Sequence, residues 1–580
     1  MGLTTSLNIG RSALTSSQVA LQITGNNFAN ASTVGYSRQV VSFVPSADQR
    51  WGSQFVGRGV QLGGITRQVD NALQARMWGG LSQESAALVG QQFLSNVESI
   101  VNQLGDNSLS SEFDRFFSAW SELANSPNRD GARSLVVQQG RTLGSAIRAT
   151  RSDLLQARDQ LDGQLGSSVS EANNLLSQIA TINQQIVSAE AGTPGANSLR
   201  DQRDQLVGNL ARLMDISVVE QPSGAMDVLV GSTPVVLGGL SRGVELQRRA
   251  VGSDTEVSVN VRADGTQLSV NGGSVGGLLA QRSGVLDQTL DKLDTITSQL
   301  IFQLNRIHST GYGATPISSV TSTRTVPASD VSRSLNDPAN QTFASLPFQA
   351  SNGGFLVTVR NEQTGASQTV RVNVDLDGIQ NNASPGYADD TSIASLAADI
   401  GSIPNVSATV NPDGTLKIAA ATGYSVAFSE DTSGVLAVIG VNTYFTGKDA
   451  TDIDVRAELT STPGLLATGR VVNGEPTDNS AALLIAGLKD KSNSALNDSS
   501  ISGAWRDAGQ VIGAASAAAT SRADSASLVR SNLEAQRSAI SGVSMDEESI
   551  NLINFQRQYQ GAARFISAID ELTQTLLNIV

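Results

Sequence analysis

The sequence has no cysteine in 580 residues. Disulfides and cysteine-based zinc sites are excluded outright. So complete an absence fits export to surroundings where a free thiol is a liability. There is a single histidine, His308, and a Ser-His-Asp triad would have to use it. Its setting, Asn305-Arg306-Ile307-His308-Ser309, reads as a helix end without a nucleophile elbow, so a capping or exposed role is expected. Positive charge is in deficit, with 39 Lys and Arg against 53 Asp and Glu and a net charge of −14. Nucleic acid and an anionic membrane surface both want a positive patch, so neither is expected as a partner. Aromatic residues make up only 4% of the chain and charged residues 16%. Long apolar runs are missing too. The best candidate, Ala481 to Leu488, falls short of the ~20 residues that cross a bilayer. The first nine residues hold no Lys or Arg, and no apolar core follows Arg11. No Sec signal peptide is read, and the chain is expected to be cytosolic or to leave by a route that needs no cleaved signal.

What is present is organised around the last thirty residues, Asn551 to Val580. Leu552, Phe555, Tyr559, Ala562, Ile566, Ile569, Thr573, Leu576 and Val580 follow one another at alternating steps of three and four. That is an a/d heptad seam without a slip, and only Thr573 in it is polar. So narrow a stripe needs a partner helix. The first thirty residues offer one, with Leu7, Leu14, Leu21 and Phe28 seven apart and Leu3 one turn earlier. The two ends are therefore expected to pair, with the rest inserted between them.

Length alone suggests roughly three to five domains at ~100–200 residues each. Residues 3 to 28 read as an amphipathic helix closed by Asn26, Asn27 and Asn30, followed by a turn at Thr33-Val34-Gly35. Residues 36 to 70 read as extended segments and loops. A helical pattern then runs to about 213. One face holds Leu88, Leu94, Val97, Val101 and Leu104, ended by Gly105-Asp106-Asn107. Another holds Phe113, Phe116, Phe117, Trp120 and Leu123. A long stretch from about 130 to 190 ends at Thr193-Pro194-Gly195, and Leu199, Leu206, Leu210 and Leu213 follow. Long helices joined by short turns make a bundle. At Asp215 the apolar period falls to two, and Asp264-Gly265 is a hairpin cue between Val257-Val259-Val261 and Leu268-Val270. Helix returns over 284 to 309. In a second β region, Phe355, Val357 and Val359 are expected to pair with Val370, Val372 and Val374. Val406, Ala408 and Val410 are expected to pair with Leu416 and Ile418. The fold class is α+β multidomain, with paired N- and C-terminal coiled-coil helices, a long-helix bundle and inserted β-rich outer domains. The expected divisions are 1-35, pairing with 545-580; a bundle 36-214 completed by 284-312 and 478-544; a small β domain 215-283; and an outer β-rich domain 313-477.

Sites for chemistry are few. Asp546-Glu547-Glu548 opens a helix, where carboxylates complement the positive end of the dipole; that reading outweighs a metal or acid/base cluster. Asp449, Asp452 and Asp454 have a loose calcium-loop look but lack the EF-hand spacing. Gly272-Gly273-Ser274-Val275-Gly276-Gly277 lacks the Lys-Ser/Thr of a phosphate loop. The polar face of the C-terminal helix carries only Arg557 and Arg564 beside Asp570 and Glu571, too little basic excess for a membrane-surface helix. Catalytic, cofactor-binding and metal residues are expected to be absent.

Two stretches resemble a known family. Asn26-Asn27-Phe28-Ala29-Asn30-Ala31-Ser32-Thr33-Val34-Gly35-Tyr36-Ser37-Arg38-Gln39 is similar to the N-terminal signature of bacterial flagellar rod, hook and hook-associated proteins, with Asn27, Asn30, Gly35, Tyr36 and Arg38 as motif positions. The C-terminal seam, with Asn551-Leu552-Ile553-Asn554-Phe555-Gln556 and Tyr559-Gln560-Gly561-Ala562-Ala563-Arg564, resembles the family's closing helix. The Gly-Tyr-Ser-Arg-Gln ending resembles the hook-associated branch. So do Leu199 to Leu206, Gly276 to Arg282 and Val441 to Gly447. The resemblance implies a structural, non-enzymatic subunit of a ring at the junction of hook and filament, exported through the flagellar type III channel and located outside the cell. It implies as partners further copies of the chain, the hook protein, the next hook-associated protein, and an export chaperone at the C-terminal helix. Assembly contacts are expected at Leu7, Leu14, Leu21 and Phe28 against Leu552, Phe555, Tyr559, Ile566, Ile569 and Leu576. The ends are expected to be frayed in the free chain and to order on assembly. The alternatives are another rod or hook protein, a secreted adhesin with a coiled-coil stalk, or a hydrolase acting through acidic residues in 313–490.

Overall fold

A computed structural model describes the whole chain except residues 1, 102–104, 106–107, 192–194, 252–253, 381–383, 473–474 and 580. Leu104, Asp106, Asn107, Thr193, Pro194 and Val580, which entered the readings above, lie outside the described residues. The chain folds as two compact units. The first holds Met1–Phe93, Gln160–Arg282 and Ala517–Val580, and the second Leu94–Asp159 and Ser283–Ser516. The architecture is α+β, with long helices and several small antiparallel sheets.

In the first unit the N-terminal helix (Gly2–Ala29) lies antiparallel to the C-terminal helix (Met545–Ile579): Gly10 meets Ile566 while Asn27 meets Glu548. A hairpin pairs Gln39–Pro45 with Val60–Arg67, slipping register between Ser42 and Phe43. Its extension, Gln49–Trp51 paired with Gln54–Val56, is exposed throughout. The expected switch to period two after Asp215 produces a four-stranded meander (Ile216–Glu220, Met226–Val230, Thr233–Leu237, Leu240–Ser241). The strand Val244–Val251 was not anticipated, because Glu245, Gln247, Arg248 and Arg249 hide its apolar alternation; it pairs with Asp254–Val261. At Asp264-Gly265 the chain turns back, with the Leu268 N–H donating to the Val259 carbonyl at 2.8 Å.

In the second unit the helix Leu109–Asn125 buries Phe113, Phe116, Phe117, Trp120 and Leu123, the five residues its spacing singled out. Phe355 pairs with Val372 and Val357 with Val370, while Val410 pairs with Leu416 and Ala408 with Ile418. Tyr424–Ser429 adds a third strand beside Gly353–Asn361, and Ser319–Thr321 one beside Leu416–Ala420. A helix of 60 residues, Asp130–Ala189, has residues in both units. Val136, Leu143, Ile147, Leu154, Leu161, Leu165, Ala172, Leu176 and Ile179 form its buried edge, nearly all at steps of seven or four.

Candidate functional site

The pairing of the terminal helices was expected, but not its face. The buried residues of the N-terminal helix are Gly10, Ser16, Ser17, Ala20, Thr24 and Asn27. All have short side chains. They let the two backbones close in, and a Cβ at Gly10 would stand 2.7 Å from Ile566 Cγ1. The heptad leucines take another bearing. Leu7 and Phe28 are exposed, at 41% and 44%, and Leu14 and Leu21 are half-buried. On the C-terminal helix Ile569 is buried, Leu552, Phe555 and Ile566 are half-buried, and Tyr559 and Leu576 are exposed. Within one chain the leucine stripe therefore stays open at Leu7 and Phe28, and the C-terminal seam at Tyr559 and Leu576. The fully buried residues of the N-terminal helix are the small ones, with Gly10 against Ile566. Leucine spacing marks an apolar stripe; it does not say which neighbour covers it.

The distal end of the pair is tied by a polar knot. Asn27 is buried where its helix ends, and both ends of its amide are used. Its Nδ2 donates to the Gln39 carbonyl at 2.9 Å and to Glu548 Oε2 at 3.2 Å. Its Oδ1 accepts from the Gln39 N–H at 3.0 Å and the Tyr36 hydroxyl at 2.8 Å. Arg38 bridges the carboxylates of the C-terminal helix, with Nε to Glu548 and a terminal nitrogen to Glu547, each at 2.8 Å. Glu548 is 2% exposed. Burial, then Asp201 and Glu548, push the Tyr36 phenol up to about 12, so it stays a donor. Asn30 donates instead to the carbonyl and side chain of Asn26, closing the helix end. Gly35 has φ +84°, and a Cβ there would collide with Gln205, whose amide donates to the Val34 carbonyl. The carboxylates 546 to 548 do open a helix, as read, but Glu547 and Glu548 also take Arg38. A partner some 510 residues away left no local signal.

The stretch Leu199 to Leu206 ties the knot to the first unit's helices. Asp201 and Asp204 both accept from Arg67 at 2.8 Å, and Asp201 also faces the Ser37 N–H at 3.4 Å. Arg200 joins Glu190 and Glu220; the Arg200 hydrogen bond above all holds the Glu190 carboxyl down to about 2. Arg203 is buried and donates to the Gly224 carbonyl at 2.7 Å. In Gly276 to Arg282, Gly277 lies against the Ala86 backbone and Arg282 pairs with Asp162 at 2.8 Å.

The third stretch, Val441 to Gly447, closes the second unit around His308. That histidine is neither exposed nor a cap, as had been expected; it is fully buried. Its Nε2 accepts the Ala467 N–H at 3.1 Å, so the proton sits on Nδ1 and is donated to the Asn442 carbonyl at 2.8 Å. Burial lowers it to about 4, keeping the ring neutral. Asn442 donates in turn to the carbonyls of His308, Ser309 and Gly311, and Asn305 Oδ1 receives the N–H groups of Tyr444 and Phe445 at 3.0 Å. With both nitrogens engaged by backbone, His308 is held as a structural clamp. Asp452 likewise spends Oδ1 on the N–H groups of Lys448 and Asp449. Among the described residues, no helix is long and apolar enough to cross a membrane.

The model of the flagellar hook-associated protein FlgK helical domain matches residues 94–317. The flagellar basal body rod FlgEFG protein C-terminal model matches 535–579, and the flagella basal body rod protein model matches 7–36, the two helices joined at the knot. Flagellar hook-associated protein 1 of Escherichia coli (strain K12) is 25% identical over 590 residues, covering 99% of each chain. The chain resembles flagellar hook-associated protein 1 along its whole length. The protein of that name from Salmonella typhimurium is 28% identical over 318 residues, 53% of this chain and 57% of that one. The one from Bacillus subtilis (strain 168) is 28% identical over 344 residues, 53% of this chain and 67% of that one. The solved flagellar hook junction protein FlgK from Burkholderia pseudomallei superposes with a TM-score of 0.48 at 16% identity, over 80% of this chain and 100% of that one.

Proposed function

We propose that the chain is a structural subunit of the bacterial flagellum, built into the joint between hook and filament. Its work is mechanical linkage rather than turnover. One observation supports this above the others. The terminal helices pair with each other, and they leave Leu7, Phe28, Phe565, Leu576 and Leu577 exposed. Burying such a side chain is worth ~1.5–3 kcal/mol, so the uncovered stripe favours contact with neighbouring subunits. Leu7, Phe28, Tyr559 and Leu576 form the open part of the assembly surface, and Leu14, Leu21, Leu552, Phe555, Ile566 and Ile569 lie half-buried or buried beside it. Copies of the chain pack side by side through it, with the hook protein on one side and the next hook-associated protein on the other. Before assembly an export chaperone covers the C-terminal helix. The subunit leaves the cell through the flagellar type III channel and works outside it.

Cells expressing only Leu7→Asp or Leu576→Asp test this. Both positions are exposed, so the free subunit is expected to fold and reach the medium, while hooks form without filaments. Normal filaments from both variants would refute the assignment.

A further inference from the structure

Three carboxylates meet beside the outer sheet of the second unit. Asp375 follows the strand Ser367–Val374, Asp377 opens the turn at Gly378, and Asp390 precedes the helix Ile393–Gly401. One carboxylate oxygen from each lies within 4.8 Å of the others. Backbone holds the arms together: the Asp375 N–H donates to Thr391 Oγ1 at 2.8 Å and the Thr391 N–H to the Asp375 carbonyl at 2.7 Å. The fold thus keeps like charges close that would otherwise separate.

Acidic clusters are common on surfaces, and Asp390 is what sets this one apart. It is 5% exposed. Its Oδ2 accepts from Asn336 Nδ2 at 2.6 Å and from the Gly378 N–H at 3.1 Å. Its Oδ1 is buried and has no donor among the described residues. A buried, unpaired carboxylate oxygen is strongly unfavourable unless a cation or donor meets it.

We propose that Asp375, Asp377 and Asp390 bind one calcium ion, with Asp390 as the buried ligand. Calcium takes oxygen ligands at ~2.3–2.6 Å, so two of them on opposite sides of one ion stand up to about 5 Å apart. Oxygens within 4.8 Å of one another can all reach an ion of that size, and calcium's flexible, partly hydrated shell suits carboxylates carried on loops, whereas magnesium demands near-ideal octahedral geometry. The exposed sides of Asp375 and Asp377 leave room for the waters that complete its shell. Bound there, the ion pins the start of the helix at Ile393 to the end of the strand at Val374.

The test is calorimetric titration of the full chain, stripped with chelator, against calcium chloride. One ion is expected to bind with a dissociation constant of ~10⁻⁴–10⁻³ M or tighter. Calcium should raise the unfolding temperature more than magnesium does. Asp377→Asn should weaken binding about tenfold or more through loss of ligand charge. Its fold should survive, because an Asn oxygen also accepts the Ile379 N–H that Asp377 now takes at 2.8 Å. Asp375→Asn carries the same expectation, and Asp449→Asn, in the other acidic loop, should bind as the parent does. No heat and no change in unfolding temperature up to about 10 mM calcium would overturn the site. So would parental binding by both cluster variants.

Discussion

The polar knot at Asn27 and the aromatic centre at Tyr444 each join distant parts of the chain, by opposite means. Around Tyr444 the contacts are mainly aromatic. Phe116 stands 5.3 Å from Phe117, 5.9 Å from Tyr444 and 5.7 Å from Phe445, and Phe116, Trp120 and Tyr444 are fully buried. At the terminal helices the fixed point is polar, the buried residues of the N-terminal helix are small, and several large apolar groups stay exposed. The first region is complete within one molecule. The second holds two helices at a set distance and offers its stripe to something else. Burial of aromatic area supplies stability; directional polar bonds supply registry.

The largest difference should appear on truncating the aromatic centre. Phe116→Ala is expected to destabilise the second unit by about 3–5 kcal/mol, the range for removing a buried aromatic ring, read as a lower denaturant midpoint of the full chain. His308 sharpens the contrast through pH. Its folded value, about 4, lies below the ordinary 6.5. The unfolded chain therefore binds the proton more readily. Its contribution is fully present above pH 6.5 and is lost as the pH falls toward 4, for a total of about 3 kcal/mol. Titrating stability between pH 7 and 4 in the parent and in His308→Gln should show that slope reduced in the variant. Equal slopes would break the argument that this centre depends on a neutral ring.

Much of this was legible in the sequence because it was local and periodic. The Phe113 to Leu123 face, the pairing of Phe355 with Val372 and the turn at Asp264-Gly265 depend on neighbours within about twenty residues. The seam from Leu552 to Leu576 was legible as a stripe, and the N-terminal leucines as another. What could not be read was which face is buried, since Gly10, Ser17, Ala20 and Thr24 leave no hydropathic signal although they are the buried residues. Nor could Arg38 be matched to Glu548, or His308 to Asn442 and Ala467. Polar partners across hundreds of residues share no pattern, and a lone histidine looks the same whether exposed or buried. The motif residues Asn27, Gly35, Tyr36 and Arg38 were picked out by resemblance; their hydrogen bonds say what they do.

A smaller effect is expected at the knot, and it should be local. Glu548→Gln keeps the size of the side chain but removes the charge that Arg38 meets at 2.8 Å. Charge-assisted bonds of this kind contribute ~1.5–3 kcal/mol, and a glutamine recovers part of that by hydrogen bonding. Amide exchange should therefore quicken over 2–29 and 545–579 while 109–125 keeps its protection. Uniform quickening would mean that the two regions share one stability, and the contrast would fail. The smallest shift belongs to Leu7→Asp. A change at an exposed position away from caps and buried networks typically moves folding by no more than ~0.5 kcal/mol. If that variant unfolds like the parent yet cannot enter the filament joint, the stripe serves a neighbour and not the chain that carries it. If instead it loses stability on the scale of Phe116→Ala, the stripe is core, and the terminal helices are finished without a partner.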